Sequence, residues 1–167
     1  MFATIAWWLA VSILGWLTWP LVAMLFRHST GKGYAYARAL GLLLLSYAYW
    51  LLGVLGALPN TAGALWNVGL LLAAASILLW WRKRVELTAY LQREWRHILV
   101  IELLFLSILA IYALHKAHDP AINHTEEPMD FAFLNACLRS PRMPPDDPWL
   151  AGFSISYYYL GYLIVSI

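Results

Sequence analysis

The sequence predicts an all-α, polytopic membrane helix bundle, and three observations carry that prediction. The 167 residues are 62% hydrophobic and only 12% charged, whereas soluble domains run at about 45–50% and about 25%. Four stretches are apolar over the roughly 20 residues needed to cross a hydrocarbon core about 30 Å thick. None alternates polar and apolar residues as barrel strands do, and a chain in lipid must satisfy its backbone internally, so these stretches are helices. The same composition excludes disorder, a charged coiled coil and a basic nucleic-acid face, so no nucleic-acid partner is expected. A single cysteine, Cys137, excludes a disulfide framework and a cysteine-rich zinc module. The bilayer is the first partner of this chain.

The predicted spans cover about 2–26, 39–58, 62–81 and 98–114. The first carries no charge and contains Pro20, which is expected to kink it near one end. It lacks a basic leader, and its apolar run exceeds the roughly 7–15 residues of a signal peptide. It is therefore read as a retained helix. Pro59–Asn60–Thr61 is short enough to make spans two and three a tight hairpin. Trp7–Trp8 and Trp80–Trp81 suit the headgroup level, where amphipathic rings concentrate.

Charge is scarce but sorted. Eight of the eleven Lys and Arg residues lie in the linkers after spans one and three, which the positive-inside rule assigns to the cytoplasm. A cytoplasmic (inner) membrane location follows, with the N-terminus and the 116–150 loop on the extracytoplasmic side. Within 82–97, Leu87, Leu91, Trp95 and Ile98 share one helical arc, with Arg82, Glu86, Arg93 and Arg96 opposite. That pattern predicts an inner interfacial amphipathic helix. Glu102 lies about five residues, or roughly 7 Å, inside span four. This shallow depth favours snorkelling to the inner interface over an interhelical partner.

The segment after span four holds six of the nine acidic residues and six of the eight prolines. It is predicted to be a loop punctuated by one short amphipathic helix at about 128–139, with Pro128 in the first turn. Met129, Phe133, Leu134, Cys137 and Leu138 form its apolar face, and Asp130 projects into that arc. Spacing leaves two readings of Asp130 open: a cap for the free N–H groups of the first turn, or an acid held on the membrane-facing side as a base or ligand. His115, His118 and Asp119 have the i, i+3, i+4 spacing of a divalent-metal site, but no specific ligand pattern is present. Asn123–His124–Thr125 fits a glycosylation acceptor. Tyr157–Tyr158–Tyr159 and Tyr162 read as an aromatic belt at the start of a fifth span over 151–167, and the chain is expected to continue beyond Ile167.

Glu126–Glu127–Pro128–Met129–Asp130–Phe131–Ala132–Phe133–Leu134–Asn135, Pro144–Pro145–Asp146–Asp147–Pro148–Trp149–Leu150–Ala151–Gly152 and Tyr157–Tyr158–Tyr159–Leu160–Gly161–Tyr162 are long enough to be specific. They resemble the "YYY" family of multi-pass membrane proteins, a largely uncharacterised prokaryotic family of Chloroflexi and archaea named for its tyrosine triplet. The chain is similar to the N-terminal part of that family. Glu127 stands where the family pattern suggests a basic residue, and Ser156 where it suggests Asn. The family's architecture is similar to that of C-type glycosyltransferases, which use lipid-phosphate-linked sugars outside the cytoplasmic membrane.

The resemblance implies Asp130 as the catalytic base, with Glu126 as its runner-up. It also implies Arg139 and Arg142 as phosphate contacts, and Tyr157, Tyr158 and Tyr159 among the substrate-binding residues. It implies a lipid-linked sugar as partner and leaves open which cofactor, if any, is used. Two functions are thus expected: a lipid-linked sugar transferase, or a non-catalytic accessory or assembly subunit bound to other membrane subunits. Pigment binding through His97, His115 or His118 is a lesser variant of the second. Transport is disfavoured because the spans carry almost no charge to line a pathway.

Overall fold

The computed structural model describes residues 2–29 and 31–167. Its regular elements are helices: α1 (Phe2–Leu25), α2 (Ala37–Val54), α3 (Ala62–His118), α4 (Glu127–Arg139) and α5 (Leu160–Ser166). A 3-10 turn, Tyr34–Tyr36, precedes α2. Three helical segments are long and apolar enough to cross a membrane: Thr4–Leu25, Tyr34–Val54 and Ala62–His118. In the last, only 6% of the most apolar window is buried by protein. Such a surface is stable only in lipid or against other apolar helices.

The third segment differs from expectation. Residues 62–81, 82–97 and 98–114, predicted as two spans and a separate connector, form one 57-residue helix. The reason is local: no Gly or Pro occurs between Leu70 and His118, and the charged stretch consists of good helix formers such as Arg, Lys, Glu and Leu. A charge-rich interval is a poor membrane segment without being a poor helix.

That helix is not straight. Ser76 hydrogen-bonds the Leu17 carbonyl, while Trp8 and Leu106 line one cavity. Leu17 and Trp8 are about 14 Å apart along α1, but Ser76 and Leu106 would be about 45 Å apart along a straight helix. Side-chain reach cannot close that gap, so α3 bends between them. Thr88, midway, turns its hydroxyl back to the Arg84 carbonyl at 2.6 Å, a contact that bends helices.

The chain forms two compact units, residues 1–42 with 71–120, and residues 43–70 with 121–167. The first is built on an aromatic core. Trp19 is fully buried among Tyr34, Leu87, Tyr90 and Ile98, with ring centroids 6.1 Å from Tyr34 and 5.5 Å from Tyr90. Leu91 packs against the same cluster, whereas Trp95 is exposed. Most of the apolar arc of 82–97 therefore faces protein, not the membrane surface, because the bend brings α1 and the Tyr34 turn against it. Gly41 lets α2 approach α1 closely: a Cβ there would lie 2.3 Å from Thr18 Oγ1.

Glu102 does not snorkel. It pairs with Arg38 and accepts a hydrogen bond from the Tyr34 hydroxyl. Arg38 also stacks 4.2 Å over the Phe105 ring and reaches Ser12 at 3.4 Å. The interhelical partner wins because Arg38, 64 residues away in sequence, is itself buried and needs a counter-charge.

The second unit centres on Tyr49, Val68, Cys137, Met143 and Leu163. Asn60, in the turn between α2 and α3, is its polar keystone. Its amide donates to the Cys137 and Ser140 carbonyls at 2.7 and 2.5 Å, and its side-chain oxygen accepts from Tyr49 at 2.7 Å. These bonds satisfy carbonyls that the C-terminal end of α4 would otherwise leave unpaired. Asn60→Ala is expected to destabilise this unit by about 2 kcal/mol, the cost of stranding partly buried acceptors. A lowered melting temperature of the detergent-solubilised protein checks it.

Candidate functional site

The site is built where α4 begins. Glu126 occupies the N-cap position without a side-chain capping bond, and Pro128 lies in the first turn, where a missing N–H costs nothing. The Asp130 N–H bonds back to the Glu126 carbonyl at 2.9 Å. The Asp130 side chain turns to α5, where Oδ1 accepts a hydrogen bond from the Tyr162 hydroxyl at 2.7 Å. This carboxylate is half-buried between two helices and held from outside its own helix.

One turn along α4, Phe133 is buried and organises a cluster of rings. Tyr157 stacks on it at 5.5 Å with planes 13° apart, Tyr162 lies at 5.3 Å, and Trp149 meets it edge-on at 5.0 Å. Tyr158 packs against Tyr157 with centroids 3.8 Å apart. Tyr157 donates its hydroxyl proton to Tyr158, and this bond, followed by partial desolvation and the nearby charges of Glu126 and Asp130, pushes its pKa up to about 12. The charges of both carboxylates therefore reach one phenol. The arrangement is a carboxylate in a fixed orientation beside an open aromatic wall. Such a wall suits a sugar face, and such a carboxylate suits a hydroxyl proton.

Not every site residue joins this cluster. The tyrosine triplet divides: Tyr157 stacks on Phe133 and Tyr158 on Tyr157, whereas the Tyr159 hydroxyl accepts a hydrogen bond from Trp50 Nε1 at 2.8 Å. Arg139 is exposed at the far end of α4, nine residues or about 13 Å from Asp130. Arg142, exposed as well, lies 3.7 Å from Asp146. Neither arginine neighbours Asp130. Among the described residues no group of three His, Cys, Asp or Glu side chains is placed to hold a metal. His118 Nδ1 lies 2.7 Å from the Leu114 carbonyl of its own helix.

Sequence reasoning missed Phe133 as the hub and Asn60 as the anchor. Phe133 read as one apolar position among five, and Asn60 as a turn residue. The Pro–Asn–Thr turn was the available signal for Asn60, since Asn in a tight turn has an amide free to bond elsewhere.

Cys137 is 1% exposed, and burial pushes its thiol up to about 11. It is expected to resist maleimide in the native protein at pH 7.5 and to react fully in denaturing SDS. Intact-protein mass spectrometry reads the difference. Modification of the native form at the denatured rate would contradict this packing.

Comparison with known proteins gives one positive finding. A family model described as "Uncharacterized membrane protein (DUF2298)" matches residues 44–167. No curated protein and no solved structure matches the chain.

Proposed function

The chain belongs to the uncharacterized membrane protein family DUF2298, and on that premise we propose that it acts in a membrane-embedded, C-type-like glycosyltransferase. The donor class is a lipid-phosphate-linked sugar used on the extracytoplasmic side. The observation that carries this reading is the Asp130–Tyr162 hydrogen bond beside the open rings of Tyr157 and Tyr158. Tyr162 engages Oδ1 and orients the carboxylate, so that Oδ2 takes the proton of the acceptor hydroxyl as its oxygen bonds the anomeric carbon. The bond from that carbon to the lipid phosphate breaks, and the phosphate leaves with the electron pair. Glu126 supplies a second negative charge at the same helix end, and the tyrosines support a sugar ring. Arg139 and Arg142, further along, serve a phosphate remote from the base.

In this reading the membrane is crossed four times before the loop. The bend in α3 supports it, since a straight helix about 86 Å long would far exceed one bilayer. Residues 82–97 then lie at the inner side with their bases, and Asp130 lies outside.

The second reading is an accessory or assembly subunit. It is favoured by the low burial of the apolar window of α3, which neighbouring helices could cover, and by the distance of both arginines from Asp130. The experiment that separates the two replaces Asp130 with Asn and Glu126 with Gln in the producing cell. Loss of a surface glycan with the protein still in the membrane supports the transferase. Unchanged glycans in both variants, with stoichiometric co-purification of a membrane complex, support the subunit.

A further inference from the structure

The loop from Asp146 to Ser154 is a closed structural device, unlike the rest of the segment around it. Asp146 and Ser154 pair as an antiparallel bridge. The Asp147 N–H bonds the Phe153 carbonyl at 2.9 Å, and the Ile155 N–H bonds the Pro145 carbonyl at 2.9 Å. Inside the loop, Asp147 Oδ1 accepts from the Trp149 and Leu150 N–H groups at 2.8 and 3.0 Å. The Phe153 N–H bonds the Leu150 carbonyl at 3.2 Å. Gly152, at φ 87°, makes the left-handed turn that closes it. Pro145 and Ile155 are buried beneath.

The tip has the opposite character. Trp149, Leu150 and Phe153 are 61%, 56% and 62% exposed, and no charge occurs from Pro148 to Ser154. Leu150 and Phe153 project from a loop that binds the N–H groups of Trp149, Leu150 and Phe153 internally, and Trp149 rests one edge on Phe133 while leaving most of its surface outward. Leaving these side chains in water has a cost that moving the tip into an apolar phase removes. The tip's remaining backbone groups, such as the Ala151 and Gly152 N–H groups, stay within reach of headgroups and water at an interfacial depth.

Its base is tied to the end of a helix long and apolar enough to cross a membrane. Met143 packs on Gly53, where a Cβ would lie 2.7 Å from Met143 Cγ, and Tyr159 bonds Trp50. Trp50 and Gly53 fall within the last about 6 Å of α2, a membrane-crossing segment. Both flanks of the loop are therefore fixed at the level where that helix leaves the hydrocarbon, the level that tryptophan prefers.

We propose that residues 146–154 form a membrane-interface anchor, with Trp149, Leu150 and Phe153 inserted among the lipids on the side of the 55–61 turn. The occupant of this surface is lipid, argued from the depth of its flanks and its uncharged Trp–Leu–Phe tip. The proposal is independent of any transferase activity. Its internal hydrogen bonds hold the loop in the inserting shape beforehand, which lowers the entropic cost of insertion.

The test uses the whole chain in phosphatidylcholine vesicles. Trp149→Cys, Leu150→Cys and Phe153→Cys are made singly on a Cys137→Ala background, and each is spin-labelled. Electron paramagnetic resonance then compares accessibility to oxygen, which partitions into lipid, with that to a water-soluble nickel chelate. Oxygen should exceed the chelate several-fold at two or more of the three positions, and the ratio should reverse at an Asn123→Cys reference. Dominance of the chelate at Trp149→Cys and Phe153→Cys would put the tip in water and overturn the proposal. So would exclusion of both reagents, which would mean that protein, such as a second copy of this chain, covers the loop.

Discussion

Replacing Arg38 with methionine is expected to destabilise the first unit by about 3 kcal/mol, the scale of leaving one member of a buried ion pair alone. Arg38 and Glu102 have side chains only 10% and 23% exposed. The Tyr34 hydroxyl, Ser12 and the Phe105 ring complete their surroundings. Without the guanidinium, the Glu102 carboxylate keeps one hydrogen bond and loses its counter-charge. A charge left without its partner draws water between the helices and weakens packing at the Tyr34 turn.

Trp16 and Trp19 meet Tyr34 at 5.1 and 6.1 Å, so the loosening should appear in tryptophan fluorescence during SDS-induced unfolding. The double variant Arg38→Met with Glu102→Leu removes both charges and should recover most of the loss. A double-variant loss equal to the sum of the losses of Arg38→Met and Glu102→Leu would mean that the two side chains are not energetically coupled.

Much of the fold is legible in the residues themselves. Hydropathy and the scarcity of charge expose the membrane-crossing helices, since burial in lipid requires long uninterrupted apolar runs. Pro128 and the apolar face after it mark the short helix that carries Asp130. Continuity of α3 is less visible, because a hydropathy pattern registers where the chain leaves the membrane and not whether it stops being helical. Leu87, Leu91 and Ile98 share one helical arc, but periodicity says nothing of what that face meets. Here it meets Trp19 and Tyr34, which a bend in the chain delivers.

Pairings over long separations are beyond any local signal. Glu102 finds Arg38 across 64 residues, and Asn60 finds Cys137 and Ser140 across 77 and 80. Asp130 is conspicuous in the sequence as an acid within an apolar arc. Its partner Tyr162, 32 residues on, could be identified only once α5 was placed against α4. The motif locates the carboxylate; tertiary structure supplies its orientation.

The second large effect concerns that carboxylate. Asp130→Asn keeps the shape of the side chain, and its amide oxygen can still accept from Tyr162, so the packing of α4 on α5 should survive. What it loses is the capacity to take a proton at neutral pH. In the proposed transferase a positioned general base contributes about 10²–10⁴ in rate, so sugar transfer should fall by that factor while membrane levels and the melting temperature stay near those of the parent. Glu126→Gln, exposed and outside the Tyr162 contact, should cost much less. Tyr162→Phe should fall between them, because it leaves the base in place and removes only its orienting bond.

The most direct test of the central claim is transfer of a radiolabelled sugar from a polyprenyl-phosphate-linked donor to a lipid or protein acceptor, in membranes carrying the protein. The account predicts transfer by the parent chain and loss of at least about 100-fold in Asp130→Asn at equal protein. Undiminished transfer by Asp130→Asn, or no transfer by the parent chain with any such donor, would contradict it.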